Sequence, residues 1–188
     1  MSIPEEFEGK DCKEMLFDTS ENLRDEIYAE DHFHDFEDYT RAVRTKKYKY
    51  VKNYYEDLPN TPSADIIRGR SWQSMKEEKK IGTLTQAQKK CFEIPRATEE
   101  LFDVVADPYE LYNLADDPAH LHGLTEMRGR LDRIRRKSND ITPSERTPDD
   151  FFRETGLPTK YRIRPRPSKA KYMEARAKGI ILQNPDMK

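Results

Sequence analysis

Large aliphatic and phenyl side chains are scarce in this 188-residue chain, with Leu, Ile, Val and Phe numbering only 35 together. That is just under a fifth, the edge of the range in which chains fail to fold. Net charge is only −2, however, so the self-repulsion that usually accompanies disorder is missing. A small core is expected, one too small to offset the ordering entropy of every residue. Either part of the chain stays unordered, or it packs against something larger. Cysteine is nearly absent as well. Cys12 and Cys91 form no Cys-x-x-Cys pair, and with four His in the chain no zinc spacing appears. No apolar run approaches the roughly 18 residues of a membrane span, so no membrane partner is expected. The opening MSIPEEFEGKDCKEM lacks the basic start and apolar stretch of a signal peptide.

Charge of both signs is abundant and segregated. Residues 1–40 carry 14 acidic and 3 basic side chains, residues 41–52 carry six basic and no acidic ones, and Pro158 to the end carries nine basic and two acidic. EIYAE, Glu26 to Glu30, is a short strand pattern running into an aromatic, His-containing loop, DHFHDFEDY. TRAVRTKKYKYVKNYY reads as two strands about a turn near Lys46-Lys47, with Tyr48 and Tyr50 on one face and Val51 on the other. Ser63 suits the cap of a helix carrying Ile66, Ile67, Trp72 and Met75, interrupted by Gly69. Thr83-Leu-Thr-Gln86 reads as a capping box, and Pro95 stops the helix that follows.

Leu101 to Val105 is the next strand. Asp107-Pro108-x-Glu110 predicts a helix start, and Asp117-Pro118 repeats the device. The second start opens a helix with Leu121, Leu124, Met127, Leu131 and Ile134 in one stripe, and with Arg130, Arg133, Arg135, Arg136 and Lys137 near its negative end. The expected fold is α+β: a small antiparallel sheet from roughly 26–30, 40–45, 47–53 and 100–105, with the 118–137 helix packed across it. After residue 140 the chain turns Pro-rich and basic, and RIRPRPSK is the most extended-looking part.

The run EELFDVVADPYELYNLADDP, Glu99 to Pro118, resembles the C-terminal signature of the sulfatase family. Ala29 to Asn53, with the following DLPNTPSAD and the later TPDDFFRETGLP, is similar to segments of bacterial sulfatases of the heparan N-sulfatase (N-sulfoglucosamine sulfohydrolase) type. The likeness covers roughly Ile3 to Pro167. It implies residues 1–25 as the end of a preceding catalytic domain or linker, 26–140 as a sulfatase C-terminal subdomain, and 141–188 as a basic tail. Family members carry the nucleophile and metal ligands well upstream, so the chain looks like the C-terminal part of such an enzyme, whose N-terminal domain would be its partner. Formylglycine, made from a C/S-x-P-x-R motif, and calcium are expected in that domain and not here. In Cys91-Phe-Glu-Ile-Pro-Arg96 the Pro sits four residues on rather than two, and Cys12 is followed by Lys-Glu-Met. No catalytic or metal-ligating residue is therefore expected in this chain.

The same resemblance implies that His34, on the family's His-Asp position, touches a sulfated sugar or glycosaminoglycan fragment. Phe33 stands where the family usually has Trp, Asp31 and His32 replace an Arg-polar pair, and Tyr39 stands near a frequent second His. Arg41 and Arg44 are candidates for fork contacts with sulfate or carboxylate, or for pairing with the acidic loop before them. The other acidic residues of 21–38 read as a solvated face, since they lack any EF-hand spacing. A second reading takes the six cations of 41–52, interleaved with Tyr48 and Tyr50, as a polyanion- or nucleic-acid-binding module. No recognised nucleic-acid motif accompanies them. Family members are often periplasmic, secreted or lysosomal, and localisation stays open.

Overall fold

The computed structural model describes residues 9, 11–18 and 23–162; much of the expected leading segment, and the tail beyond Arg162 including most of RIRPRPSK, lies outside them. Strands β1 (Ile27–Phe33), β2 (Glu37–Arg44), β3 (Tyr48–Asn53) and β4 (Glu99–Asp103) form one antiparallel sheet in the order β1-β2-β3-β4. The register places Tyr28 opposite Val43, Val43 opposite Tyr50, and Tyr50 opposite Leu101. Side chains alternate between faces, so these four line a single face. In the turn joining β2 to β3, the Thr45 hydroxyl accepts the amides of Lys47 and Tyr48 at 3.3 and 3.0 Å. The expected strands are all present, but the loop before β2 is shorter than DHFHDFEDY. Asp31 to Phe33 belong to β1 and Glu37 to Tyr39 to β2.

The helix laid across this face, α4 in order along the chain (Leu121–Ser138), starts three residues later than the sequence predicts, because the Asp117-Pro118 device opens a 3₁₀ turn, Pro118–His120, that leads into it. The Asp117 carboxylate accepts the Ala119 amide at 2.9 Å, and Pro118 sits where its missing donor costs nothing. It ends on Asn139 in the left-handed region, φ 53°. The Asp140 amide reaches back to the Arg135 carbonyl and the Asn139 amide to that of Arg136, a Schellman closure. Leu124, Met127 and Leu131 are buried against Val43, Tyr50 and Leu101. Removing each large side chain from water contributes roughly 1.5–3 kcal/mol. The stripe is narrower than its spacing suggests: Ile134 only flanks this core, and Leu121 is exposed. The helix lies close to β3, since a Cβ at Gly123 would stand 2.9 Å from the Tyr48 ring.

A second cluster joins Phe36, Ala64, Ile67, Trp72 and Phe151 at the end of the sheet where β1 turns into β2. Its helices depart from the expected boundaries. The single helix starting after Ser63 is two, α1 (Ala64–Arg68) and α2 (Arg70–Ile81), because Gly69 adopts extended backbone between them. Ser63 does not cap α1; its hydroxyl faces Asp65, and the Ala64 amide is taken by the Asp35 carboxylate at 2.7 Å. The capping box lies two residues later than read, at Thr85 and Gln88 of α3 (Gln86–Lys89), because the Thr83 amide is already used in closing α2. Asp107-Pro108-x-Glu110 starts no helix. The Asp107 carboxylate accepts the amides of Leu111 and Tyr112, and Glu110 has φ 56° with its side chain drawn to Lys49 and Arg44, so the chain turns instead.

Phe151, placed by the sequence in the tail, is core. Its segment folds back at Gly156, φ 67°, where a Cβ would come within 2.6 Å of the Ala64 carbonyl oxygen. Only glycine fits there.

Candidate functional site

His34, Asp35 and Phe36 connect β1 to β2, and Phe36 anchors the connection in the second cluster. With Phe36 turned inward, the His34 side chain stands 79% exposed, its Nδ1 3.4 Å from Asp35 Oδ2. The loop borders a cavity of about 290 Å³ lined by Asp31, His34, Asp35, Asp38, Asn60 and Arg153 among others. A second cavity, of about 410 Å³, shares Asp31, Asp38 and Asn60 and runs along the sheet past Lys49, Glu100 and Tyr109. The shared residues make the two neighbours, a groove at the His34 end of the sheet and a longer one along the sheet face opposite α4.

The acidic stretch read as a solvated face is partly internal. Asp38 is buried and receives both terminal nitrogens of the buried Arg96, at 3.0 and 2.8 Å, together with the Tyr39 amide and the Thr40 hydroxyl. Arg96 also donates to the Tyr55 carbonyl at 3.2 Å. A buried carboxylate is tolerated when it is paired and hydrogen-bonded in this way. Glu37 is 3% exposed; one of its carboxylate oxygens accepts the Thr147 amide at 2.9 Å. Charge runs in the sequence carry no sign that their partners, Arg96 and Thr147, arrive from beyond residue 90. Asp31 rims both cavities, and desolvation followed by repulsion from Asp38 pushes its carboxyl pKa up.

The structure does not bring His34, Arg41 and Arg44 together. Arg41 is 2% exposed, on the α4 face, and it pairs neither with solvent nor chiefly with the loop before it. Its Nε and Nη2 take the two oxygens of Asp140 at 2.8 and 2.9 Å, Nη1 donates to the carbonyls of Asp31 and Thr40, and the guanidinium lies 3.8 Å from the Tyr39 ring centroid. Asp140 collects Arg135 and the Tyr39 hydroxyl as well, at 2.9 and 2.6 Å. The Arg41 hydrogen bonds above all hold the Asp140 carboxyl far below the usual carboxylate range. This hub ties the Schellman end of α4 to β2. Arg44 is half-exposed at the far end of the strand, with Nη1 3.3 Å from Glu110. Seven strand steps separate Glu37 from Arg44, roughly 24 Å, so no single sulfate touches both Arg44 and His34.

Chemically, the groove beside His34 is rich in acceptors. Arg153 is committed to Asp149, to the Thr61 hydroxyl and to the Glu37 carbonyl. Hydroxyl or amide donors of a sugar match such a lining better than a bare anion does, and His34 is the one ring nitrogen donor or acceptor on the rim. Among the described residues no group of three or more His, Cys, Asp or Glu converges to hold a metal ion. Tyr50 is buried and Tyr48 packs under α4, so the aromatics of 41–52 belong to the core and offer no stacking platform for bases.

Aligned with solved structures, the chain matches a 2-O GAG sulfatase with a TM-score of 0.50 and 22% identity, over 79% of this chain and 24% of that one. A candidate sulfatase from Bacteroides thetaiotaomicron aligns with a TM-score of 0.49 and 21% identity, again over 79% and 24%. A protein solved in complex with its substrate D-glucosamine-2-N,6-O-disulfate aligns at 0.49 and 17%, over 77% and 23%. The chain therefore spans about a quarter of the length of these structures. At such identities the likeness is one of fold. No family model and no curated protein matches.

Proposed function

We propose that this chain is the C-terminal part of a sulfatase acting on sulfated sugars, contributing pocket-lining residues around His34 to an active site whose nucleophile lies in another domain. The observation that carries it is the exposed His34 at the rim of an acceptor-lined groove, in a fold shared with a quarter of a 2-O GAG sulfatase. The motif likeness of Ala29 to Asn53 favours the heparan N-sulfatase-like branch. His34 then contacts the sugar, and the acidic lining holds hydroxyl or amide donors while the sulfate points away from it, since carboxylates repel an anion. Arg41 supports the strand before this loop from inside through the Asp31 carbonyl, and Arg44 lies too far away to share the same group.

Formylglycine and calcium belong, in this reading, to the other domain. Neither cysteine begins the required motif and no metal-holding cluster converges among the described residues, so we assign no step at sulfur to this chain. The polyanion-binding alternative loses its aromatic component to the core. The test is co-expression of the full chain with a domain that carries C/S-x-P-x-R and is encoded beside it, followed by assays for complex formation and sulfate release. We expect release by the pair and none by the chain alone; a pair that neither associates nor releases sulfate overturns the reading.

A further inference from the structure

Resting on that reading of His34, we propose that Asp35 is its positioning residue, holding the imidazole so that Nε2 is the nitrogen offered to the sugar. The His34 ring is 79% exposed, so packing does not set its orientation, and its Nδ1 lies 3.4 Å from Asp35 Oδ2. Asp35 itself is firmly placed. The same Oδ2 accepts the Ala64 amide at 2.7 Å, and the Asp35 carbonyl accepts the Asp150 amide at 3.0 Å. The next residue, Phe36, is buried in the second cluster. The loop is thus tied to α1, to the 150 segment and to the core within two residues. A carboxylate so fixed, 3.4 Å from Nδ1, is placed to accept from an Nδ1–H, as the orienting partners of working histidines do, which leaves Nε2 facing outward. The neutral ring then accepts from a sugar hydroxyl through Nε2, and the protonated ring donates there.

The rival role for Asp35 is that of a cap for α1, in place of Ser63, whose hydroxyl faces Asp65. The two roles separate experimentally in the full chain. Imidazole nitrogen chemical shifts above the titration range of histidine report the tautomer of each ring. His34 is expected to show the Nδ1-protonated form and to revert to the ordinary Nε2-protonated form in Asp35→Ala; His122 serves as an internal control. A pure cap role leaves the His34 tautomer unmoved. Binding of D-glucosamine-2-N,6-O-disulfate then closes a double-mutant cycle. Asp35→Ala is expected to weaken binding roughly threefold or more in the parent and by less than about twofold when His34→Ala is already present. If the alanine variant does not fold, Asp35→Asn serves: its amide oxygen keeps the cap but is a weaker, neutral acceptor for Nδ1–H, so the Nδ1-protonated fraction of His34 is expected to fall without vanishing. An unmoved tautomer, or an equal loss on both backgrounds, overturns the positioning role while leaving His34 as a contact. A His34→Ala variant that binds like the parent overturns the sugar contact itself, and the role of Asp35 with it.

Discussion

Under α4 the sheet presents Tyr28, Tyr39, Arg41, Val43, Tyr50 and Leu101; its opposite face presents Asp31, Asp38, Thr40, Lys49, Asn53 and Glu100. Both faces carry charge, yet they use it differently. On the covered face two ion pairs close long sequence gaps: Arg41 meets Asp140, and Glu99 meets Arg128, whose Nε lies 2.7 Å away. These pairs fix the helix on the sheet. On the other face Lys49 is held by Glu110 and Arg96 by Asp38, while Asp31 remains on the rim of both cavities. Residue type alone therefore does not mark a binding residue. A cation is available to a ligand only where the fold has not already given it a carboxylate.

The sharpest break of that contrast is Asp140→Ala. It leaves the buried Arg41 without its carboxylate and removes the same acceptor from Arg135 and the Tyr39 hydroxyl. Breaking a buried pair from one side costs about 3–5 kcal/mol, which a thermal melt should register as a fall in Tm on the order of 10 °C. Leu131→Ala tests the apolar part of the same face. It empties a site that is 1% exposed between Val43, Tyr50 and Leu101. The expected loss is about 2–5 kcal/mol in urea unfolding. If either variant melted like the parent, the helix would not be anchored as described.

Acid should loosen the covered face gradually. Hydrogen bonds from Arg128, opposed by burial and helped by Tyr50, lower the Glu99 carboxyl from 4.5 to about 2. Its folded value lies below its unfolded one, so the stabilisation is full above about 4.5 and is lost as pH falls toward about 2. Arg128 is 43% exposed, so solvent screening limits the pair to about 1 kcal/mol. Arg128→Ala should accordingly flatten the stability-versus-pH curve over that window; an unchanged curve would remove Glu99 from the account. The smallest effect on stability belongs to the open side. His34→Ala should change unfolding free energy by less than about 0.5 kcal/mol, its side chain being 79% exposed. Turnover by the reconstituted pair should fall about ten- to a hundredfold if the contact acts in the transition state. A loss within twofold would make the loop merely structural.

Local signals carried most of the architecture. Period-two alternation located the strands, and spacings of three and four located α4; Asp117-Pro118 does cap, but it caps the 3₁₀ turn that leads into the helix. These readings succeed because their physics spans fewer than five residues. The same local chemistry misled at Asp107, where the carboxylate caps a turn, and at Ser63, whose capping task passed to Asp35, 29 positions before the Ala64 amide it accepts. His34 was marked by its motif alone, and only the fold shows it beside a groove.

What the sequence by itself determined is the α+β pattern and the face of α4 that turns inward, and its motif singled out the segment that holds His34. Tertiary structure decided which charges remain available. Arg41 is 99 residues from Asp140 and Asp38 is 58 from Arg96, and no periodicity or composition encodes those meetings. An ion pair depends on two side chains sharing a few ångströms of space, and that proximity exists only once the sheet has formed and α4 has closed over it.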